Sequence, residues 1–224
     1  MNYAIIVAGG KGKRFSSKEK KQFYKLGSKT ILELTLNKFI NHPEIEKIIL
    51  VIPEEDKNLF TFNHSKLFKI VFAGSERKYS VLNGLKAIEH EVNENDKILI
   101  HDGVRPFLSN KLISNLLNEL EISDCVVPVI KLEDTIKEVE NGIVVKTVNR
   151  DKLVRVQTPQ GFKGKLLRIF FDYAIKDINF TDDASIFEVA GINIRIIEGE
   201  KRNIKITTKE DIMNIYSNIL VGFG

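Results

Sequence analysis

Gly9, Gly10 and Gly12 fill three of four positions after an apolar run, Tyr3-Ala-Ile-Ile-Val-Ala8, and Lys11, Lys13 and Arg14 are set among and after them. Glycine leaves backbone N–H groups bare and lets a ligand approach without meeting a Cβ. Bare N–H groups and dense cations together suit a phosphate chain above other ligands. Two familiar phosphate loops do not fit. The Walker pattern, which needs Gly-Lys-Ser/Thr, occurs in no window of this stretch. The dinucleotide fingerprint fails at Phe15, which stands where its third glycine belongs. Lys21 and Arg14 flank the loop, and the phosphates of an incoming nucleotide would sit between them and the backbone. In phosphoryl or nucleotidyl transfer the transition state carries spread negative charge, so positioning and cations do most of the work. The plainer alternative is a tight strand-to-loop turn with solvated lysines.

Further along, His101-Asp102 ends a later apolar run, and Arg105 follows. An aspartate there can ligate Mg²⁺, which takes one or two carboxylates plus substrate phosphates. Its other role would be to cap the next segment. His101 reads as a structural histidine. Arg77 and Ser80 open a helix where an anion or a ribose could be held. The four histidines have no metal-ligand spacing, and no serine sits in a nucleophile elbow, so acyl transfer is not expected.

The elements that must carry these residues alternate. Apolar runs at 3–8, 47–52, 69–73, 97–101 and 125–129 read as buried strands. Between them lie helical patterns: Ile31 to Ile40, opened by a Thr30–Glu33 capping box; Val81 to Ile88, starting near Ser80; and Ile113 to Leu120. Strand–helix alternation means right-handed crossovers and a mostly parallel sheet with helices on both faces. Ligands in such sheets bind beyond the carboxyl ends of the strands. That rule selects residues 9–14, residues 74–80, and Asp102 with Arg105.

Residues 131–156 break the rhythm. Two β-prone runs, 135–139 and 143–148, flank Asn141-Gly142, a strong hairpin signal. No helix separates them, so the hairpin is expected to project as an arm, and an exposed arm points to a partner subunit. Beyond it, helices are expected at 164–178 and 183–190 and strands at 194–198 and 204–206. A Thr207–Glu210 capping box should open a last helix at 209–220.

The 224 residues suit one α/β domain. The N-terminus reads as a first strand, not a signal peptide, and no apolar run approaches a membrane span. Cys125 is the one cysteine and reads as a core residue, so a cytoplasmic protein is the default. A net charge of +4 with mixed Lys and Glu does not argue for nucleic acid.

Nine motifs occur in one order: Ala8-Gly-Gly-x-Gly-x-Arg14, Lys21-Gln22, Arg77-x-x-Ser80-Val, His101-Asp-x-x-Arg-Pro106, Asp134-Thr135, Asn149-Arg150, Gln157-Thr-Pro-Gln160, Thr181-Asp-Asp-Ala-Ser185 and Asn203-Ile-Lys-Ile-Thr207. Over essentially the whole chain this resembles the 2-C-methyl-D-erythritol 4-phosphate cytidylyltransferases of non-mevalonate isoprenoid biosynthesis. The resemblance implies a Rossmann-like nucleotidyltransferase domain with a β-arm, a homodimer formed through the arms, and a divalent cation, Mg²⁺, held chiefly by the triphosphate. It implies that CTP contacts Ala8, Gly9, Gly10, Gly12, Lys21, Gly74, Arg77, Ser80, Asp102 and Gly103. Arg14, Lys21 and Lys205 would be the transition-state cations. Arg105, Thr135, Arg150, Thr158, Thr181 and Lys205 would hold the methylerythritol phosphate, with Thr135 and Arg150 reaching across from the partner's arm. The chain departs from the pattern at Lys20, where proline often precedes Lys-Gln, and at Gly103-Val104. The nearest rival is a ribitol 5-phosphate cytidylyltransferase, which shares the glycine loop, His-Asp-x-x-Arg-Pro and Thr-Pro-Gln. A non-catalytic phosphate or nucleic-acid binder and a nicotinamide-dependent reductase are the alternatives from other classes.

Overall fold

The computed structural model describes residues 1–10, 15, 20–60, 63–176 and 180–221. Asn2–Val7 (β1) buries both faces: Tyr3, Ile5 and Val7 join one core, while Ala4 and Ile6 join another. Such a strand needs a helical layer on each side. It pairs in parallel with Lys47–Ile52 (β2), which pairs in turn with Leu67–Phe72 (β3), and on its other side with Lys97–Asp102 (β4). Ile31–Ile40 (α1) and Asn110–Ile122 (α3) cover the face of Ala4 and Ile6. Arg77–Lys86 (α2) and Leu167–Ala174 (α4) cover the other. The Thr30–Glu33 capping box of α1 is present in full.

Next to β4 the topology departs from simple alternation. Cys125–Lys131 (β5) does not touch β4. Gln160–Lys163 lies between them, antiparallel to both. Just before it, Val154–Val156 continues along β5, also antiparallel. The sheet of eight strands closes with Arg195–Glu198, parallel to β5. A strand as short as Gln160-Gly-Phe-Lys carries no apolar period. It forms because Gln160 is satisfied inside, donating to Asp182 and accepting from the Ala184 N–H. Gly161 belongs there because a Cβ would meet Leu99 and Leu120 at 2.8 and 2.9 Å.

The arm is Ile136–Glu140 (β6) and Ile143–Val148 (β7), paired only with each other. Asn141 and Gly142 take φ of 49° and 79°, as a primed two-residue turn demands. Val139, Ile143, Val144 and Val145 are each more than half exposed.

Several expected boundaries move. Helix α2 begins at Arg77, so Ser80 lies one turn inside it. The helix expected at 164–178 is a 3₁₀ turn, Gly164–Leu166, followed by α4, and residues 177–178 lie outside the described part. The helix expected at 183–190 is Ser185–Val189 (α5), because the side chain of Asp183 is drawn out to Arg77. Residues 204–206 form no strand. A bond from the Ile206 N–H to the Val104 carbonyl, 3.0 Å, and the Lys205–Asp102 ion pair pin them instead. The last helix, Lys209–Val221 (α6), is capped by Thr208 and Asp211, not Thr207 and Glu210. Asp211 accepts from the Thr207 and Thr208 N–H groups at 2.7 and 2.8 Å. Among the described residues no helix is long and apolar enough to cross a membrane.

Candidate active site

The carboxyl ends of β1, β3 and β4 frame a cleft of about 180 Å³. Ala8, Gly9, Gly10, Lys21, Gly74, Arg77, Ser80, Asp102 and Lys205 line it. These come from five separate segments of the chain, brought together by the crossover rule for parallel sheets. Gly9 must be small: a Cβ there would lie 2.4 Å from that of Ala73. Ser80 donates to the Glu76 carbonyl and accepts from the Gly74 N–H at 3.1 Å, fixing the rim opposite the glycines. Gln22, buried, donates to the Ala8 carbonyl at 3.1 Å and ties the segment carrying Lys21 to the end of β1. Gly12 and Arg14 lie outside the described residues.

Gly103 does not line this cleft. Its N–H bonds to the Val7 carbonyl at 2.8 Å and its carbonyl accepts from Thr35, so it buttresses β1 from behind.

A second chamber of about 280 Å³ opens beside the first and shares Arg77, Asp102 and Lys205 with it. Arg105, Thr158, Gln160, Thr181 and Asp182 complete its wall. Asp102 stands at the junction, almost fully buried. One oxygen accepts from Arg77 Nε at 3.1 Å; the other faces Arg105 Nε at 3.2 Å and Lys205 Nζ at 3.0 Å. Burial alone would raise its carboxyl, but the three cations outweigh that and hold it far below the usual carboxylate range.

Arg77 is held from its other side by Asp183, whose two oxygens take the guanidinium fork at 2.7 Å each. Burial raises the Asp183 carboxyl and the fork opposes that. Asp183 is a residue the sequence reading passed over. Its signal was the paired carboxylates after Thr181. Asp182 faces Gln160 and caps α5, while Asp183 faces the cleft's arginine.

Thr158 lies on the chamber wall, but its hydroxyl is already engaged. It accepts from the Asp102 N–H and bonds His101 Nδ1 at 3.0 Å, while His101 Nε2 lies 3.1 Å from the Arg105 carbonyl. A carbonyl can only accept, so Nε2 carries the proton and Nδ1 receives that of Thr158. His101 therefore fastens the Asp102–Arg105 turn as a neutral, fully buried ring. Burial lowers its pKa to about 4. The folded value lies below the unfolded one, so this stabilisation is complete above pH 6.5 and drains away as pH falls toward 4. The chain should therefore be about 2 kcal/mol less stable to urea at pH 5 than at pH 7.5 from this group alone. A flat profile would show His101 to be protonated or solvated in the fold.

Thr135 and Arg150 do not reach either chamber. Both are exposed on the arm, and Arg150 donates to the Glu133 carbonyl at its base. Nor does Asp102 fit a protein-held Mg²⁺. Its oxygens face three cations, and no cluster of three potential metal-ligating side chains occurs among the described residues. A further cation would meet repulsion from each of the three. Asp102 is an anchor for positive charge here, so a Mg²⁺ would be held chiefly by the phosphates of a bound nucleotide.

Comparison with known proteins finds relatives along nearly the whole chain. The family model described as 2-C-methyl-D-erythritol 4-phosphate cytidylyltransferase matches residues 2–219. A protein of that description from Thermosipho melanesiensis is 41% identical over 217 residues, 95% of each chain. One from Clostridium acetobutylicum is 39% identical over 220 residues, 95% of this chain and 94% of its own. Among solved structures, the Francisella tularensis 2-C-methyl-D-erythritol 4-phosphate cytidylyltransferase superposes with a TM-score of 0.82 at 36% identity, covering 97% of this chain and 98% of its own. The 4-diphosphocytidyl-2C-methyl-D-erythritol synthase from Anaerococcus prevotii gives a TM-score of 0.82 at 31% identity, covering 98% of both chains.

Proposed function

The chain belongs to the 2-C-methyl-D-erythritol 4-phosphate cytidylyltransferase family, and from that premise we propose how its two chambers perform the transfer of a cytidylyl group from CTP to 2-C-methyl-D-erythritol 4-phosphate. CTP occupies the glycine-lined chamber, and the acceptor occupies the chamber beyond Asp102. A phosphate oxygen of the acceptor attacks the α-phosphorus. The bond from that phosphorus to the bridging oxygen breaks on the opposite side, and pyrophosphate leaves with the electron pair. No covalent enzyme intermediate is required.

Two anions have to meet, so the barrier is largely electrostatic, and fixed cations at the meeting point lower it. Lys205 and Arg105 lie there, both steered by Asp102. Lys21 approaches from the glycine side, and Arg14 is proposed to join it. A divalent cation, Mg²⁺ by expectation, travels with the triphosphate. The convergence of Arg77, Arg105 and Lys205 on one carboxylate between two connected chambers is the observation that carries this reading.

The arm enters through symmetry. Its exposed valines and isoleucine need cover, and a second copy can supply it. In a homodimer the arm of one protomer would bring Thr135 and Arg150 to the acceptor chamber of the other. A cytoplasmic location remains the expectation for such an enzyme.

Pyrophosphate release tests the function directly. Release with CTP and methylerythritol phosphate, and not with ATP, GTP or UTP, is the expected result. Faster release with ribitol 5-phosphate would move the chain's activity to that acceptor. No release with any pair would overturn the reading.

A further inference from the structure

Lys20 directly precedes Lys21, and its ammonium is closely held. Lys20 Nζ lies 2.7 and 2.8 Å from the two oxygens of Asp56 and 2.9 Å from Glu55. Asp56 is only 3% exposed. It sits in the 3₁₀ segment Glu54–Leu59, directly after β2. The clasp therefore joins the end of the phosphate loop to the rim of the sheet, across 36 residues of chain.

The other side of Lys21 is fastened as well. The Lys20 and Lys21 carbonyls accept from the Phe23 and Tyr24 N–H groups at 3.0 and 3.2 Å, closing a short 3₁₀ turn. The buried Gln22 is tied to Ala8. Lys21 thus stands between two neighbours anchored just beyond the ends of two different strands, β1 and β2. A lysine side chain has four rotatable bonds and reaches many places unless its backbone is fixed. We infer that the Lys20–Asp56 clasp is a positioning device that holds the backbone of Lys21 so that its ammonium meets the reacting phosphates.

Stability alone is a weaker account of the pair. Partly exposed ion pairs contribute little, and a buried carboxylate is tolerated with a partner without making the fold more stable than an apolar pair would. Placement is where such a pair has its effect. A displacement of about 1 Å at a catalytic group can cost on the order of 10²-fold in rate. The inference rests on the cytidylyl-transfer reading, because it assigns Lys21 to the reacting phosphates.

The test is steady-state turnover with CTP and methylerythritol phosphate, beside urea unfolding of each variant. Lys20→Ala and Asp56→Asn should each lower kcat about tenfold, with KM for the acceptor changed less than about twofold. The double variant should be no slower than either single one, and Lys20→Arg should restore most of the rate. In a Lys21→Ala background, Lys20→Ala should have no further effect, because the clasp acts only through Lys21. Should Lys20→Ala fail to fold, Asp56→Asn and Lys20→Arg carry the same comparison. Folded single variants with wild-type kcat would overturn the inference, as would losses that add in the Lys21→Ala background. Failure of the wild-type chain to release pyrophosphate would instead overturn the functional reading beneath it.

Discussion

Lys21→Ala is expected to lower kcat by on the order of 10²-fold or more while the chain stays folded. The side chain lines the glycine-walled chamber, and the turn that carries it is fixed at both ends. Its ammonium is therefore delivered to where charge develops, and alanine removes it without touching either anchor. Unfolding free energy should fall by no more than about 1 kcal/mol, the scale of a partly exposed charge contact. KM for CTP should rise less than kcat falls, since charge spreads onto the phosphates mainly in the transition state. A folded variant with near-normal kcat would make Lys21 a solvated surface residue. The same variant tests the arm. If Arg150 serves the partner's site, Arg150→Ala chains are also impaired, and mixing the two variants rebuilds one intact site in each heterodimer. Subunit exchange should then return about a quarter of the wild-type sites, by random pairing in a two-fold dimer. A mixture no more active than its parts would confine the site to one chain.

What was legible in the sequence follows from where the free energy lies. β1, β2 and β4 were readable because a strand buried on both faces leaves an uninterrupted apolar run. The cleft was readable because the crossover topology places ligands beyond the ends of β1, β3 and β4, and Ala8–Gly10, Gly74–Arg77 and Asp102 are found there. The antiparallel strand Gln160–Lys163 was not readable. It is held by the pairing of Gln160 with Asp182 and Ala184 and by the fit of Gly161, and both are tertiary contacts without a local period. Residues 204–206 looked like a strand because Ile204 and Ile206 alternate with Lys205. They alternate because Ile206 is buried against Phe15 and Ile212 while Lys205 turns to Asp102, with no neighbouring strand involved. Thr207 and Thr208 compete for one cap, and Asp211 decides the contest by bonding both N–H groups. Asp102 lines the cleft, but its salt-bridge partners were not foreseen. Three cations reach it from α2, from its own turn and from the stretch before α6, and no local spacing reveals that meeting.

That meeting makes Asp102→Asn the second large effect. The amide keeps the size of the side chain and removes the charge that holds Arg77, Arg105 and Lys205 together. Arg77 then keeps its fork to Asp183, while Arg105 and Lys205 lose the carboxylate they share. They spread apart, and the acceptor phosphate meets a looser set of donors. On the scale of a displaced catalytic group, kcat/KM should fall by on the order of 10³-fold. Stability should fall too, by about 2 kcal/mol: breaking a buried pair costs more than that, but Arg77 and Lys205 are each about a third exposed and water screens them. The pH dependence has a definite sign. A carboxylate held below its unfolded value contributes stability that is present above about pH 4 and is lost as pH falls below it. Wild type and Asp102→Asn should therefore differ by a constant amount at neutral pH and converge in acid. The His101 contribution, which is lost between pH 6.5 and 4, should appear in both proteins alike, provided the neighbouring ring stays buried. Urea unfolding across that range separates the two groups. If the variant kept wild-type kcat/KM at neutral pH, the three cations would be placed by their own packing, and Asp102 would be no more than their counterion.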